Sequence, residues 1–340
     1  MNLTKSVTKF MMCRPTFFQV KYEINPWMRP GDPVNLERAL QQWNNLKDII
    51  EAILVRITSY NVESLYFIET SFEIMNLSKS VTKFMMCRPT FFQVKYEINP
   101  WMRPGDPVNL EKALQQWNNL KDIIEAIFTS GGEVLVMEPE GANNYPDLVF
   151  AANAAVVRGN KAYLSNFFYP ERKGEDYYYD KWFKENSAGD ALWVGKDKLF
   201  CGIGPRTDVR ALNLIAKNLK DDKSPFKVYG FRLIDPRFYH IDTCLCPITE
   251  QLAIYYPYAF DPVARHNMSN ELELVPVTEE EAIRFACNSI VIGKSVIIPV
   301  GAEQTAKALQ KLGFDPKFVD MSEFIKSGGA AKCCTLQLSQ

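Results

Sequence analysis

The chain has 340 residues, 47% of them hydrophobic, enough to bury a sizeable core and to hold more than one domain. A formal charge of -1, from 39 basic and 40 acidic residues, leaves no electrostatic footprint for nucleic acid or an anionic membrane surface. No run of about 18 apolar residues is present to span a bilayer. The opening MNLTKSVTKF lacks the apolar stretch of a signal peptide, so a cytoplasmic protein without nucleic-acid or membrane partners is expected.

The first feature along the chain is a repeat. Residues Met1–Ile53 recur as Met75–Ile127, with Thr4/Ser78 and Arg38/Lys112 as the differences. An ancient structural repeat keeps its apolar pattern and loses identity. Near-identity points instead to a recent duplication or an error in assembling the gene. The first copy runs into ILVRITSYNVESLYFIETSFEI, whereas the second runs into GGEVLVMEP, a capping glycine and a buried strand. The second copy therefore continues a fold. Residues 1–74 are expected to be a redundant duplicate rather than a domain, and 75–340 the folded domain.

From Met75 onward, apolar runs predict strands at Phe84–Val94, Val134–Met137, Val149–Val157, Ala162–Phe167, Ala191–Val194 and Leu199–Ile203. Further strands are predicted at Val228–Leu233, Leu252–Tyr256, Leu272–Val275, Ser289–Ile292, Ser295–Pro299 and Lys332–Leu338. Helical spacing occupies Leu110–Ala126, Val209–Leu219, Glu279–Ala286 and Thr305–Leu312. Strands pair through tight turns, as in VVRGNKAYL, WVGKDKLF and IVIGKSVII. This is a ββαβ rhythm in an α/β protein, not the βαβα of a doubly wound sheet. It fits modules set in a ring around a central site, and other α/β layouts equally. Between Asp180 and Ala191 the chain passes from a helix-like stretch straight to a strand, with no returning strand between.

Eight cysteines need not form disulfides in a chain with a real core. No paired C-x-x-C spacing occurs, which argues against zinc. Only His240 and His266 are available to a mechanism that needs an imidazole base. Three runs carry candidate chemistry. In Ser327-Gly328-Gly329-Ala330-Ala331-Lys332-Cys333-Cys334, small residues allow a close backbone approach to a ligand, and a thiol follows. A glycine turn into a terminal strand with buried cysteines fits that spacing equally well. In Phe238-Tyr239-His240-Ile241-Asp242-Thr243, a strand would put His240 and Asp242 on one face. The pair suits general acid–base work on a cation, and suits a structural hydrogen bond as well. In Pro146-Asp147-Leu148-Val149-Phe150-Ala151-Ala152-Asn153, a carboxylate among apolar neighbours needs a cationic or hydrogen-bonding partner, or caps a turn.

Together with MMCRPTFFQVKYEINPWM, FFYPERKGE, SAGDALWVG, GIGPRTD, YYPYAF and ACNSIV, these runs resemble the amidinotransferase-fold hydrolases over Met75–Gln340. That group includes arginine deiminases, dimethylarginine dimethylaminohydrolases and arginine dihydrolases. The resemblance implies a pentein, a five-bladed propeller of ββαβ modules with the site at its centre. It implies Cys333 as the nucleophile that attacks a guanidinium carbon, and His240 as general acid–base. Asp147 and Asp242 would grip the guanidinium nitrogens, with Phe150 packed on the substrate. Arg172 and Arg206 would hold the substrate carboxylate or order the site. No metal or organic cofactor is implied, because covalent catalysis divides the step in two. Cys334 is the rival nucleophile, since strand neighbours face opposite ways. The partner implied is a small guanidino compound, and a homo-oligomer is compatible with the sequence.

Two departures from the family pattern bear on activity. A carboxylate usually precedes Gly189-Asp190, where this chain has Glu185-Asn186-Ser187-Ala188, and relatives carry roughly a dozen more residues there. An impaired enzyme is one expectation from that gap. Asn153, in turn, stands where deiminases and dimethylarginine hydrolases usually have a carboxylate. With Asn99 in the Glu97–Met102 run, this is more similar to arginine dihydrolases, which form ornithine. Arginine and methylated arginine both remain candidate substrates, and transfer of the amidino group to an amine is a third enzymatic option.

Overall fold

A computed structural model describes residues 82–128, 132–158, 161–186, 192–195, 197–220 and 224–338, all within the unit Ser80–Gln340. The expected duplicate at 1–74 lies outside the described residues. The chain opens with strand β1 (Lys83–Cys87), helix α1 (Leu110–Ile127) and β2 (Glu133–Met137). It continues through β3 (Ala155–Arg158), β4 (Lys161–Leu164) and α2 (Glu175–Asn186). Next come β5 (Leu192–Val194), β6 (Lys198–Ile203), α3 (Arg210–Asn218) and β7 (Lys227–Arg232). They are followed by β8 (Leu245–Pro247), β9 (Leu252–Tyr255), α4 (Pro262–Ser269) and β10 (Glu273–Pro276). A short α5 (Glu279–Ala282) leads to β11 (Ile290–Ile292), β12 (Ser295–Pro299), α6 (Glu303–Lys311) and β13 (Asp315–Val319). The chain ends through α7 (Ser322–Ile325) and β14 (Leu336–Gln337).

One unit recurs through these elements. An antiparallel pair is followed by a helix and a third strand that lies parallel to the second. It is built as β5-β6-α3-β7, as β8-β9-α4-β10 and as β11-β12-α6-β13. In another copy the first strand is β14, from the far end of the chain, which pairs antiparallel with β1 while β2 runs parallel to β1. The parallel pairs are the long ones: β6 and β7 stay in register from Lys198↔Lys227 to Ile203↔Arg232. The β3–β4 hairpin also leads into a helix, but it has no third strand among the described residues. Residues 187–191, between α2 and β5, lie outside the described residues.

Helix α1 illustrates why the sequence folds this way. Asn109 caps it, its side chain accepting from the Lys112 amide at 2.9 Å. Ala113, Gln116, Trp117, Leu120 and Ile124 recur at helical spacing and form its buried face. The helix packs in one core with Phe84, Phe92, Phe150, Phe324 and the Ala330–Cys334 segment, so the scaffold and the C-terminal thiols share a hydrophobic cluster. A second and larger core gathers β6 to β12 around Phe200, Phe231, Ile254 and Ile298. No helix among the described residues is long and apolar enough to cross a membrane.

Several predicted elements are corrected. The strand expected to reach Val94 ends at Cys87, where Arg88 and Pro89 follow; proline cannot donate into a ladder and restrains the residue before it. Val149–Val157 is not one strand: 3₁₀ turns at Pro146–Val149 and Ala151–Asn153 precede β3, and residues 148–152 are buried on every side. The helix expected to reach Ala286 stops at Ala282, and Phe285 turns the chain with φ of 62°. The terminal strand shrinks to Leu336–Gln337. Strands β8 and β13 and helix α4 were missed, although Asp261-Pro262 is a recognisable start for α4, with the Asp261 side chain accepting from the Ala264 amide at 2.6 Å.

The larger core yields a stability prediction. The Phe200 ring is fully buried, 4.8 Å from Phe231 and 5.3 Å from Tyr229 between centroids. Phe200→Ala is expected to lower the unfolding free energy by about 3–5 kcal/mol, seen as a lower urea midpoint at unchanged m-value. A loss below about 1 kcal/mol would contradict a packed centre here.

Candidate active site

The C-terminal turn sets the site. Residues 327–334 form consecutive turns, not a strand: the Gly328 amide donates to the Ile325 carbonyl at 2.9 Å, and the Cys334 amide to the Ala330 carbonyl at 3.2 Å. Gly328 adopts φ of 85°, a conformation that favours glycine. The crowding is as strict as the backbone: a Cβ on Gly328 would lie 2.4 Å from Tyr239 Oη, and one on Gly329 would lie 2.5 Å from Phe150. Small residues are therefore required by tight packing around the thiol. The expected separation of Cys333 and Cys334 survives in another form. Cys333 lines a pocket, while Cys334 is buried in the core with Phe84 and Trp117.

That pocket is nearly filled by its own side chains, with a free cavity of about 10 Å³, room for about one water. Asn99, Asp147, Phe150, Asn153, Arg172, Arg206, His240 and Cys333 all line it. Sequence positions as far apart as 99 and 333 thus converge. Asp242 is the one predicted site residue not on the wall. It touches the thiol instead, with Cys333 Sγ donating to its Oδ2 at 3.3 Å.

His240 and Asp242 do not share a strand face, contrary to the sequence expectation. His240 precedes a 3₁₀ turn at Ile241–Thr243, and Thr243 Oγ1 donates to its carbonyl at 2.6 Å. The turn sends the imidazole into the pocket and the carboxylate to the thiol.

The charged groups are held in distinct ways. Asp147 accepts from Tyr96 Oη at 3.0 Å and from Ser327 Oγ at 3.1 Å. Arg172 makes a two-pronged pair with Glu175, at 2.8 and 2.6 Å, at the start of α2. Burial alone works against the Arg172 cation, and the Glu175 carboxylate overrules it, so the guanidinium stays charged. Arg206 donates to the Ile98 carbonyl at 2.8 Å and lies between the rings of Tyr169 and Tyr239, at 4.5 and 4.6 Å. Its pKa is lowered by burial and by Arg172.

Arg172 also orients Asn153. Its Nη1 donates to Asn153 at 3.1 Å, and because a guanidinium only donates, the atom facing it is the amide oxygen. The Asn153 NH₂ therefore faces His240 Nδ1, 3.4 Å away, and that nitrogen is the unprotonated one. His240 is kept neutral by burial and by Arg206 and Arg172, which hold its pKa well below the ordinary imidazole value.

Burial, reinforced by Asp242, holds the Cys333 thiol well above its usual pKa. Burial raises both Asp147 and Asp242, and Asp242 Oδ1 has no hydrogen-bond partner. An orphaned carboxylate oxygen beside a thiol is suited to a cation that brings its own N–H donors. Such a cation would stabilise the carboxylates and the thiolate at once. No group of three or more metal-ligating side chains occurs among the described residues. The side chain of Glu185, residues 187–190 and the expected gap before Gly189 lie outside them.

Sequence reasoning missed Tyr96, Tyr239, Asn288 and Ser327. Tyr239 and Ser327 lie in runs already singled out, and Asn288 in the ACNSIV run. Nothing in the spacing around Tyr96 points to its bond with Asp147.

Two predictions follow from this geometry. Gly329→Ala is expected to displace Phe150 and the Cys333 turn and to abolish activity, while Gly105→Ala, whose Cβ meets nothing, leaves activity intact. Equal activity in the two would contradict the close approach. The second concerns pH. The folded value of Asp242 lies above its unfolded one, so its contribution to stability is present below the ordinary carboxylate range and lost as pH rises through the folded value. His240 acts oppositely, its contribution holding above 6.5 and falling away as pH drops. Asp242→Asn should therefore raise the Tm of the ligand-free protein at about pH 8, by about 2–4 °C for each kcal/mol relieved. The gain should shrink towards about pH 5, and a Tm difference independent of pH would contradict it.

Comparison with known proteins assigns the family. The family described as N,N dimethylarginine dimethylhydrolase, eukaryotic, matches residues 184–340. The chain is 35% identical over 279 residues to the bifunctional arginine dihydrolase/ornithine cyclodeaminase ArgZ of Synechocystis, covering 76% of this chain but 38% of that relative. It is also 35% identical over 269 residues to the N(G),N(G)-dimethylarginine dimethylaminohydrolase of Mycobacterium tuberculosis, covering 75% and 85% of the two chains. Among solved structures, the substrate-bound N-terminal domain of cyanobacterial ArgZ matches with a TM-score of 0.70 and 33% identity, over 76% of this chain and 98% of that one. The chain thus belongs to the family of C–N hydrolases that contains the dimethylarginine dimethylaminohydrolases and the arginine dihydrolases.

Proposed function

We propose that the chain hydrolyses the guanidino group of arginine or a methylated arginine through a covalent intermediate on Cys333, and that arginine, converted to ornithine, is the favoured case. The observation that carries this reading is the contact of the Cys333 thiol with a buried carboxylate whose second oxygen is unpartnered. Asp147 and Asp242 would hold the guanidinium nitrogens, with Phe150 against its plane. The cation favours the thiolate, and the thiol proton passes to His240. Sγ attacks the guanidinium carbon, and His240 returns the proton to the departing ammonia or dimethylamine. Water, deprotonated by His240, then adds to the same carbon, and the C–Sγ bond breaks to release a ureido product and regenerate the Cys333 thiolate. Asn99, Arg172 and Arg206 would order the pocket and hold the substrate carboxylate.

Asn153 favours the dihydrolase. Its amide oxygen is taken by Arg172, so the pocket receives NH₂ donors, which suit the neutral carbonyl of a ureido product better than a carboxylate would. Retention of that product permits a second attack, loss of the second nitrogen as ammonia and, after water displaces the sulfur, a carbamate that breaks down to ornithine and carbon dioxide. That the β3–β4 pair has no third strand among the described residues favours a different reading, a member impaired by a short segment before Gly189.

Within the same proposal the five small sheets are blades of one ring around the pocket, and residues 1–74 are a redundant copy. The free cysteines of the described residues, all buried, suit a reducing cytoplasm. Every described residue of the site comes from one chain, so the reading holds for a monomer and for a homo-oligomer.

Product analysis tests it. With arginine, ornithine and about two ammonia per turnover are expected, both lost in Cys333→Ser and retained in Cys334→Ser. Citrulline alone would sink the dihydrolase. Dimethylamine released faster from dimethylarginine than ammonia from arginine would shift the substrate, and no product from either would favour the impaired member.

A further inference from the structure

We propose that Asn288 is a catalytic residue, its side-chain amide donating to the Cys333 sulfur to hold the thiolate while also fixing the turn that carries it. The inference rests on the reading of Cys333 as nucleophile. Asn288 is completely buried and sits between the Phe285 turn and β11, behind the pocket wall rather than on it. Its Oδ1 accepts from the Ala330 amide at 3.0 Å and from the Cys333 amide at 3.1 Å. Its Nδ2 donates to the Asp242 carbonyl at 2.9 Å and to Cys333 Sγ at 3.1 Å. The backbone joins in, since the Lys332 amide donates to the Asn288 carbonyl at 3.1 Å.

These contacts leave no ambiguity in the amide's orientation. Two backbone N–H groups face one end of it, so that end is the oxygen, and the NH₂ must face the sulfur. Both halves of the amide are fully used, and one side chain joins the thiol turn to the turn that bears Asp242.

The direction of the N–H···S contact decides its chemical effect. A donor aimed at sulfur is bound more strongly by a thiolate than by a thiol, because the interaction becomes charge-assisted on ionisation. Other groups around the sulfur act on the same equilibrium. Asp242 and Cys334 oppose the thiolate, and the Ala330 backbone N–H favours it. Tyr239 feels the sulfur's charge, His240 and Arg206 share the pocket, and Lys332 acts on Asp242. Asn288 supplies a neutral donor that a buried site can hold permanently. Unlike an arginine or lysine there, it leaves the pocket free to accept a cation.

Asn288→Asp separates chemistry from bracing. The variant keeps the shape and the acceptor oxygen but replaces the NH₂ donor with a second oxygen. The probe is the pH dependence of iodoacetamide alkylation, read by mass spectrometry on the Cys333 peptide, with circular dichroism reporting the fold. We expect the alkylation midpoint of Asn288→Asp to move up by at least about one pH unit. We expect kcat to fall at least about tenfold with KM little changed. Asn288→Ala, which loses the donor without adding an oxygen, should shift the midpoint in the same direction. A folded variant whose alkylation profile overlays that of the wild type would overturn the proposal. So would failure of both variants to fold, which would make Asn288 a brace alone. Because alkylation needs no substrate, the result stands apart from the functional reading. Turnover that survives Cys333→Ser would sink that reading, whatever the alkylation profile.

Discussion

Asp147, on the wall of the pocket, and Asp242, against the Cys333 thiol, are two carboxylates buried to 2% and 7% exposure, and the protein satisfies them unequally. Asp147 takes hydrogen bonds from Tyr96 and Ser327, whereas one oxygen of Asp242 has none and the other meets the Cys333 thiol. Burying a carboxylate without a partner costs several kcal/mol, so such an arrangement persists only where the rest of the fold outweighs it. A cation with its own N–H donors would complement that oxygen, as the guanidinium of the proposed substrate does. The thiol, the neutral imidazole and the compact glycine turn follow from the same constraint. The thiol and the neutral imidazole add no positive charge beside Asp242 and Asp147, where the proposed substrate would bring its own.

The other cations of the pocket are kept from filling that place. Arg172 is paired with Glu175 at the start of α2, and two further N–H groups go to Asn153 and the Asp147 carbonyl. Arg206 is clamped between two tyrosine rings and tied to the Ile98 carbonyl. Neither forms an ion pair with Asp147 or Asp242 among the described residues. The scaffold achieves this with turns rather than strands. Asp147 and Asn153 lie in 3₁₀ turns, Cys333 in a turn and His240 at the extended start of one, while the strands carry the apolar cores behind them. A turn can aim adjacent side chains in different directions, and this separates His240 from Asp242 and Cys333 from Cys334.

Much of this was legible in the sequence, and what was not has physical causes. The helical spacing of α1 and the paired strands around VVRGNKAYL, WVGKDKLF and IVIGKSVII emerged because each element buries one face or forms a short hairpin. The residues that bring chemistry to the pocket were found through ordered motifs. Their local geometry was not, because FYHID and AAKCCTL are apolar enough to imitate strands while tertiary hydrogen bonds fold them into turns. β13 escaped because it contains Pro316, and β8 because a three-residue strand carries almost no periodic signal. Tyr96 and Asn288 act across long sequence separations, reaching Asp147 and Cys333, and no local pattern announces such contacts.

The account depends most on covalent chemistry at one of two adjacent cysteines. The most direct test is to quench the protein during its reaction with arginine, digest it and weigh the peptide that carries Cys333 and Cys334. The account predicts that an adduct derived from the guanidino substrate builds up on Cys333 and decays on a chase without substrate. Product formed with Cys333 unmodified at every time point, or an adduct confined to Cys334, would contradict it.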